Sequence, residues 1–237
     1  MTALAKDIPL NYKEILQNIE EARKRGAHSA DRVRLVAVSK TVDVENIKYA
    51  VEAGADTLGE NKVQEIQAKY DSLPGVKWHL IGHLQTNKVK YLVNKVEMIH
   101  SLDRLDLAKE IEKRFGAADR IIPCLIQVNI AEEESKWGMK EEEVFDFCKA
   151  MADFPHIQIM GLMTVGPFVS QEEIRPVFAR LRELRDETAA KIKDLNLPNV
   201  KMQELSMGMS HDYTVAVEEG ATMVRVGSSL FGARVYR

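Results

Sequence analysis

Short apolar runs alternate with longer amphipathic stretches along nearly the whole chain. The runs are rich in Val, Ile and Leu, which is typical of strands buried on both faces of a parallel sheet. The candidate strands are Arg34–Ser39, Thr57–Gly59, Lys77–Ile81, Met98–Ser101, Ile122–Asn129, Ile157–Met163, Lys201–Leu205 and Met223–Val226. Helical spacing of apolar residues predicts helices over Leu10–Arg25, Val44–Ala53, Val63–Ser72, Lys88–Val93, Arg104–Arg114, Glu141–Ala152, Gln171–Ile192 and Asp212–Glu219.

Strand–helix units that follow one leading helix, in a chain of 237 residues, predict an α/β fold. We expect a single (β/α)8 TIM barrel domain over residues 1–237. A doubly wound open sheet is the alternative, and a dinucleotide-binding sheet carries a glycine-rich fingerprint after its first strand. Here the first strand is followed by Lys40-Thr41-Val42-Asp43, without a glycine. The pattern therefore favours the barrel.

Composition excludes several classes of function. The formal net charge of −3 gives no electrostatic reason to expect a nucleic-acid partner. No apolar run approaches the roughly 20 residues that cross a bilayer, and the N-terminus lacks a secretory pattern, so no membrane partner is expected. Cys124 and Cys148 show no metal-ligand spacing, and two isolated cysteines favour a reducing compartment. We expect a cytoplasmic protein without a metal site.

Lys40 is a candidate nucleophile. It ends the run Val33–Ser39, at the C-terminal tip of the first candidate strand. Burial of a strand end desolvates the amine, which lowers its pKa and favours the neutral nucleophile. This is the setting of a lysine that forms a Schiff base. The alternative is a lysine whose stem lies along the apolar strand end while its amine reaches water.

The loops after the last two strands have the composition of an anion site. In a barrel of this kind these loops form the recurrent phosphate site, and here they contain Ser206, Ser210 and the turn Gly227-Ser228. We expect the backbone N–H groups of the turn to bind a phosphate. Ser210 is expected to cap the helix that starts near Asp212, which leaves Ser206 free to face a ligand.

A Schiff-base lysine opposite a phosphate site suits pyridoxal 5′-phosphate (PLP). Arg225 either forms an ion pair at the rim or faces the ring nitrogen, where a group without an acceptor keeps that nitrogen unprotonated. Asn61 either contacts the cofactor's phenolic oxygen or caps the helix that begins at Lys62. His79 and His83 are better suited to core or ring contacts than to a metal. The candidate cofactor-binding residues are Lys40, Asn61, Ser206, Arg225, Gly227 and Ser228.

Several motifs, in order and at matching spacing, give the chain a resemblance to the PLP homeostasis proteins. These motifs are Leu35–Lys40, Gly59–Asn61, Trp78–Lys88, Gly161–Thr164, Leu205–Ser210 and Val224–Ser228. The resemblance covers nearly the whole chain. It implies a fold-type III PLP-binding barrel similar to the N-terminal domain of alanine racemase, with the cofactor on the matching lysine, Lys40. It also implies a role in vitamin B6 and amino-acid balance, without established enzyme activity.

The expected function is therefore PLP binding for intracellular PLP homeostasis, with the cofactor held as a Schiff base on Lys40. Racemases of this scaffold take a second base, opposite the lysine, from an added β domain. Since twelve residues follow Arg225, we expect this domain to be missing and ordinary racemase turnover to be absent. The alternatives are a PLP-dependent racemase or lyase of a small amino acid, and an aldolase-type barrel that uses Lys40 on a sugar phosphate. PLP-dependent apoenzymes are candidate partners, and a monomer is expected.

Overall fold

The described residues form a closed parallel barrel. The structure, a computed structural model, describes residues 4–131 and 137–232. The strands pair in chain order and the last returns to the first. They are β1 Arg34–Val38, β2 Thr57–Glu60, β3 Lys77–Leu80, β4 Met98–Leu102, β5 Ile122–Gln127, β6 Ile157–Met163, β7 Val200–Met209 and β8 Met223–Val226. The predicted (β/α)8 fold is confirmed, whereas the predicted domain limits, residues 1 and 237, lie outside the described residues.

Helices connect most of the strands. The α-helices are α1 Leu4–Arg25, α2 Val44–Glu52, α3 Val63–Lys69, α4 Leu105–Gly116, α5 Val144–Ala150, α6 Gln171–Ile192, α7 Tyr213–Glu218 and α8 Ser228–Phe231. Short 3-10 helices cover Tyr70–Ser72, Thr86–Tyr91, Glu141–Glu143 and Met151–Asp153. The α-helix predicted over Lys88–Val93 is therefore a 3-10 helix, and α8 was not predicted. Side-chain caps explain two starts, since Asp43 caps α2 and Ser170 opens α6 with a capping box.

Side chains alternate between the barrel interior and the helix layer, as strand geometry requires. Val36 and Val38 of β1 belong to a small apolar cluster inside the barrel, together with Ile81. Leu35 and Ala37, the neighbours of Val36, belong to the larger core beneath the helices. Continuing this alternation past the end of β1 aims Lys40 at the interior side of the rim.

The pairing of β1 with β8 brings the first and last strands of the barrel together. Val36 lies beside Arg225 and Ala37 beside Val226 in this pairing. A Cβ atom on Gly227 would lie 3.3 Å from both Cβ and the carbonyl oxygen of Val38, so the absent side chain allows this close approach. The ends of β1 and β8 therefore meet at one point of the rim.

The leading helix α1 closes the outer layer beside α2, α7 and α8. Asn11 donates to the carbonyl of Leu230 over 3.1 Å, and Asn18 donates to the hydroxyl of Tyr213 over 3.0 Å. The apolar side of α1, which includes Ile15 and Ile19, is buried. Across residues 4–131 and 137–232, none of the helices combines the length and apolarity that membrane crossing requires.

Candidate cofactor site

A cavity of about 300 Å³ opens at the C-terminal ends of the strands. Its walls come from the ends of β1, β2, β3 and β8 and from the loops that follow β6 and β7. Five residues that the sequence nominated line it: Lys40, Asn61, Arg225, Gly227 and Ser228. Ser210 lines it as well. The barrel thus gathers into one cavity groups that lie far apart along the chain.

Ser206 is placed differently from the sequence prediction. It lies inside β7, which continues to Met209, and it is fully buried. Its hydroxyl accepts a 2.7 Å hydrogen bond from the Arg225 guanidinium and lies 2.9 Å from Nδ1 of His100. The expectation that Ser206 is free to face a ligand is therefore wrong, because its oxygen is taken up by two buried side chains.

Ser210 is the serine that reaches the rim. Its Oγ accepts the backbone N–H of Gly227 over 3.1 Å and that of Ser229 over 3.3 Å. It does not cap α7 as expected, because Asp212 occupies the N-cap position and bonds the amide of Met209 instead. Two backbone N–H groups of the turn after β8 thus converge on one oxygen, that of Ser210. Amides arranged in this way suit an oxygen of an anion when the hydroxyl turns aside.

Arg225 is a buried cation at the floor of the cavity. It is 4% exposed, and its guanidinium donates to Ser206 and, over 2.8 Å, to the carbonyl of Thr164. Burial lowers its pKa to about 10, with Asp212 acting in the opposite direction. The group therefore stays charged at neutral pH and, as a guanidinium, can only donate.

A chain of hydrogen bonds continues from Arg225 into the barrel. Beyond Ser206, Nε2 of His100 lies 2.9 Å from Nδ1 of His79. Since Ser206 accepts from Arg225, its own O–H donates to His100 when His100 donates to His79, and each contact then has one donor. Burial holds the pKa of His79 at about 3 and that of His100 well below its usual value. Both rings are neutral, so Arg225 is the charged member of the chain.

The sequence predicted only part of this series of hydrogen-bonded side chains. His79 is a core histidine, which agrees with the expectation from the sequence. The role of His100 was not anticipated, although both histidines lie two residues before or after an inward apolar position, Ile81 and Met98 respectively. Polar residues at inward positions of apolar strands were the available signal. His83 lies elsewhere and stacks on Trp137, with ring centroids 3.6 Å apart.

Asn61 belongs to the cavity wall and not to a helix cap. The N-cap position of α3 is Lys62, which makes no side-chain capping bond. A Cβ on Gly82 would lie 2.5 Å from the carbonyl oxygen of Asn61, so this glycine lets the end of β3 pack directly against Asn61. The capping alternative for Asn61 is therefore wrong, and its side chain is one candidate to contact a ligand.

A buried ionic cluster lies behind Lys40. Glu60 is fully buried and its Oε1 accepts from Ser39 Oγ over 2.7 Å and from Lys69 Nζ over 2.7 Å. Lys69 also donates to the carbonyl of Ser39 and to Glu65, over 2.8 and 3.0 Å. Burial raises the pKa of Glu60 to about 7, against the opposing effect of Lys69. This cluster joins β2 and α3 to the end of β1, and the sequence pattern did not predict it.

The two cysteines are structural. Cys124 lies in β5 and Cys148 in α5, and both are buried and unpaired by a disulfide. Burial raises the pKa of the Cys148 thiol to about 12 and also raises that of Cys124. Within residues 4–131 and 137–232, His, Cys, Asp and Glu form no group of three or more that suits a metal ion. The cavity is thus the candidate site.

The fold and the rim cavity define a barrel of the alanine racemase type. The family model described as the alanine racemase N-terminal domain matches residues 10–235. A pyridoxal phosphate homeostasis protein of Aquifex aeolicus is 44% identical over 225 residues, which cover 94% of this chain and 96% of the relative. The chain belongs to the family of pyridoxal phosphate homeostasis proteins, as its sequence motifs predicted.

Solved structures give the same result. An unknown protein from Bifidobacterium adolescentis is 34% identical, with a TM-score of 0.88, and the match covers 98% of this chain and 97% of that one. PipY of Synechococcus elongatus, solved with PLP bound, is 33% identical, with a TM-score of 0.78. That match covers 92% of this chain and all of PipY. The similarity therefore extends over the whole barrel.

The buried histidines predict a pH dependence of stability. An unfolded histidine titrates near pH 6.5, whereas the pKa of His79 in the folded protein is about 3. Below about pH 6.5 the unfolded state binds protons that the folded state does not. The free energy of unfolding therefore decreases as the pH is lowered. One such histidine contributes a slope of up to about 1.4 kcal/mol per pH unit.

We expect His79→Gln to reduce that slope by up to this amount between about pH 6 and pH 4, while its amide keeps a hydrogen bond to His100. Urea denaturation of the wild type and the variant across this range measures the slopes. Parallel stability curves for the two proteins would show that His79 is not the buried neutral group described here.

Proposed function

We propose that this chain binds PLP in the rim cavity, as a Schiff base on Lys40, and thereby serves the balance of this cofactor. The observation that carries the proposal is the meeting of three kinds of group in one cavity. These are the amine of Lys40, the guanidinium of Arg225, and the donors around Ser210. The PLP-bound PipY structure and the name shared by the curated relatives support the choice of ligand.

The chemistry of the donor set fits PLP group by group. Lys40 offers a primary amine, which is what an aldehyde requires. The Ser210 O–H offers an uncharged donor for a phosphate, and the amides of Gly227 and Ser229, which donate to Ser210 Oγ in this structure, become donors to the phosphate when Ser210 turns aside. Arg225 offers a donor for a ring nitrogen. When bound, PLP supplies an aldehyde for amines and a ring that withdraws electrons from an attached carbon.

Ser206 has a different place in this proposal than in the sequence prediction. Its buried hydroxyl is bonded to Arg225 and lies among interior side chains. We therefore assign it to the support of Arg225, and we assign the phosphate to Ser210 and the turn that begins at Gly227. Asn61 and Ser228, which line the same cavity, complete the proposed site.

The proposal includes the absence of ordinary amino-acid turnover. Arg225 cannot accept a proton, so a ring nitrogen beside it stays unprotonated and the ring withdraws electrons less strongly. We also propose that the protein is a monomer and that PLP-dependent apoenzymes receive the cofactor from it. Size-exclusion chromatography tests the first point, and reactivation of a PLP-free enzyme by the loaded protein tests the second.

The first prediction concerns the attachment site. Treatment with PLP, borohydride reduction and peptide mass mapping are expected to place the pyridoxyl group on Lys40. Lys40→Ala is expected to lose the yellow colour of the complex, because the amine that binds the aldehyde is gone. Lys62→Ala is the matched control, since Lys62 is an exposed lysine after the neighbouring strand β2. A label on another lysine, or colour in Lys40→Ala, would refute the assignment.

The second prediction separates Ser210 from Ser206. Ser210→Ala removes a hydroxyl from the proposed phosphate site, and a hydrogen bond to a charged group contributes about 1.5–3 kcal/mol. We expect the preference for PLP over pyridoxal to fall by about tenfold to a hundredfold. Ser206→Ala is the control, and it is expected to lower stability without changing this preference. Titration of each variant with PLP and with pyridoxal measures the ratio of the two affinities. A loss of preference in Ser206→Ala but not in Ser210→Ala would assign the phosphate to Ser206.

The third prediction concerns turnover. We expect the PLP-loaded protein to show no substantial racemase, decarboxylase or transaminase activity with common amino acids, because Arg225 weakens the electron sink. Chiral chromatography of alanine incubated with the protein is the measurement. Lys40→Ala, purified identically, corrects for contaminating enzymes. Racemisation at ordinary enzyme rates, roughly 1–10³ per second, that depends on Lys40 would contradict the proposal.

A further inference from the structure

The turn that follows Lys40 has a strained backbone. Thr41 has φ of +64°, a left-handed conformation. Among the described residues, the other non-glycine residues with positive φ are Asp119 and Met202. Left-handed backbone is unfavourable for a β-branched residue, because its Cβ crowds the following carbonyl. Such strain persists only where neighbouring groups hold it, and it concentrates at ligand sites.

Glu65 on α3 holds this turn. Its Oε2 accepts the backbone N–H of Thr41 over 2.7 Å, which is the short distance of a charge-assisted bond. The same oxygen accepts from Lys69 Nζ over 3.0 Å. Burial by itself raises the pKa of Glu65, but the bonds from Thr41 and Lys69 outweigh it and lower the pKa overall. Glu65 is therefore an ionised acceptor fixed in place by a neighbouring cation.

The residue before Lys40 is fixed by the same cluster. Lys69 donates to the carbonyl of Ser39, and Ser39 Oγ donates to Glu60. Lys69 and Glu60 are buried, with side-chain exposures of 10% and 0%. The backbone on both sides of Lys40 is thus tied to β2 and α3, so little of the turn is free to move.

We propose that Glu65 is a positioning residue for Lys40. It keeps the Thr41 turn in the left-handed conformation that aims the Lys40 side chain into the cavity. Without this acceptor the turn relaxes to an ordinary conformation and Lys40 turns away. The inference rests on the proposed function in that Lys40 is the residue that receives PLP, but the aim of Lys40 can be measured without PLP.

The test uses three substitutions of Glu65, one control and one double substitution. Glu65→Ala removes the acceptor, Glu65→Asp keeps the charge but shortens its reach, and Glu65→Gln keeps an oxygen at the same place. Glu110→Ala is the matched control, since Glu110 pairs with Arg114 at 2.6 Å on α4 and its side-chain exposure, 23%, is close to the 22% of Glu65. Thr41→Gly is added to Glu65→Ala, because glycine adopts positive φ without strain.

Two rates are measured for each protein. The first is acylation of Lys40 by limiting acetic anhydride in the PLP-free protein, quantified by mass spectrometry relative to Lys149 of α5. The second is the rate at which PLP attaches. Loss of a bond to a charged group predicts a decrease of about tenfold in both rates for Glu65→Ala and Glu65→Asp. Glu65→Gln keeps a neutral acceptor and is expected to lose less than Glu65→Ala or Glu65→Asp. Glu110→Ala is expected to stay near wild type, and Thr41→Gly is expected to restore most of the rate to Glu65→Ala.

The outcomes separate this inference from the proposed function. Wild-type acylation of Lys40 in both Glu65→Ala and Glu65→Asp would overturn the positioning role. An equal loss in Glu110→Ala, or no recovery with Thr41→Gly, would also overturn it, since either result indicates a general loss of stability. If Glu65→Ala does not fold, Glu65→Asp against Glu65→Gln decides the question. Attachment of PLP to another lysine would refute the proposed function, while the acylation series would still decide the role of Glu65.

Discussion

The pairing of β1 with β8 is the constraint on which the candidate site depends. It places Val36 beside Arg225 and brings Gly227 against Val38. Lys40 comes from the beginning of the chain and the donors of the last turn from its end, so no local segment contains the site. Any side chain at Gly227 that forces β8 away from β1 would separate the Lys40 amine from the turn that follows β8. The cavity is therefore complete only when the barrel is closed.

The burial of the Arg225 charge inside the barrel is unfavourable, and barrel closure alone does not require it. A charged guanidinium without partners would be strongly unfavourable at the depth of Arg225. Ser206 and the carbonyl of Thr164 supply those partners, and His100 and His79 extend the hydrogen-bonded chain without adding charge. Well-packed apolar side chains in the place of Arg225 and its partners would stabilise the fold as well or better. The retained cation is therefore best explained by what it faces, which is the cavity.

The sequence predicted the barrel because strand and helix periodicity are local, and the limits of β6 and β8 agree with the prediction. The sequence-based prediction was wrong where the limit of a strand depends on its pairing with a neighbouring strand. The sequence placed the end of β7 at Leu205, but pairing with β8 extends the strand to Met209 and shifts its register after Ser206. Gly208, with φ of +87°, makes this irregular path possible. Ser206 is thereby buried and Ser210 is brought to the rim, an exchange that no local pattern encodes.

The ionic cluster behind Lys40 is a second feature that the sequence could not predict. It also explains why the turn at Lys40 is ordered without a ligand. Glu60 and Lys69 are ordinary charged residues in the sequence, and only the packing of α3 against β2 makes them a buried pair. With Arg225 fixed at the floor of the cavity and the Lys40 turn fixed at its rim, both groups are ordered before a ligand arrives. A ligand then loses little free energy to ordering side chains. Affinity in such a site depends on the fit of the ligand to groups that are already in place, and Arg225 and the Lys40 turn are held by two separate sets of partners.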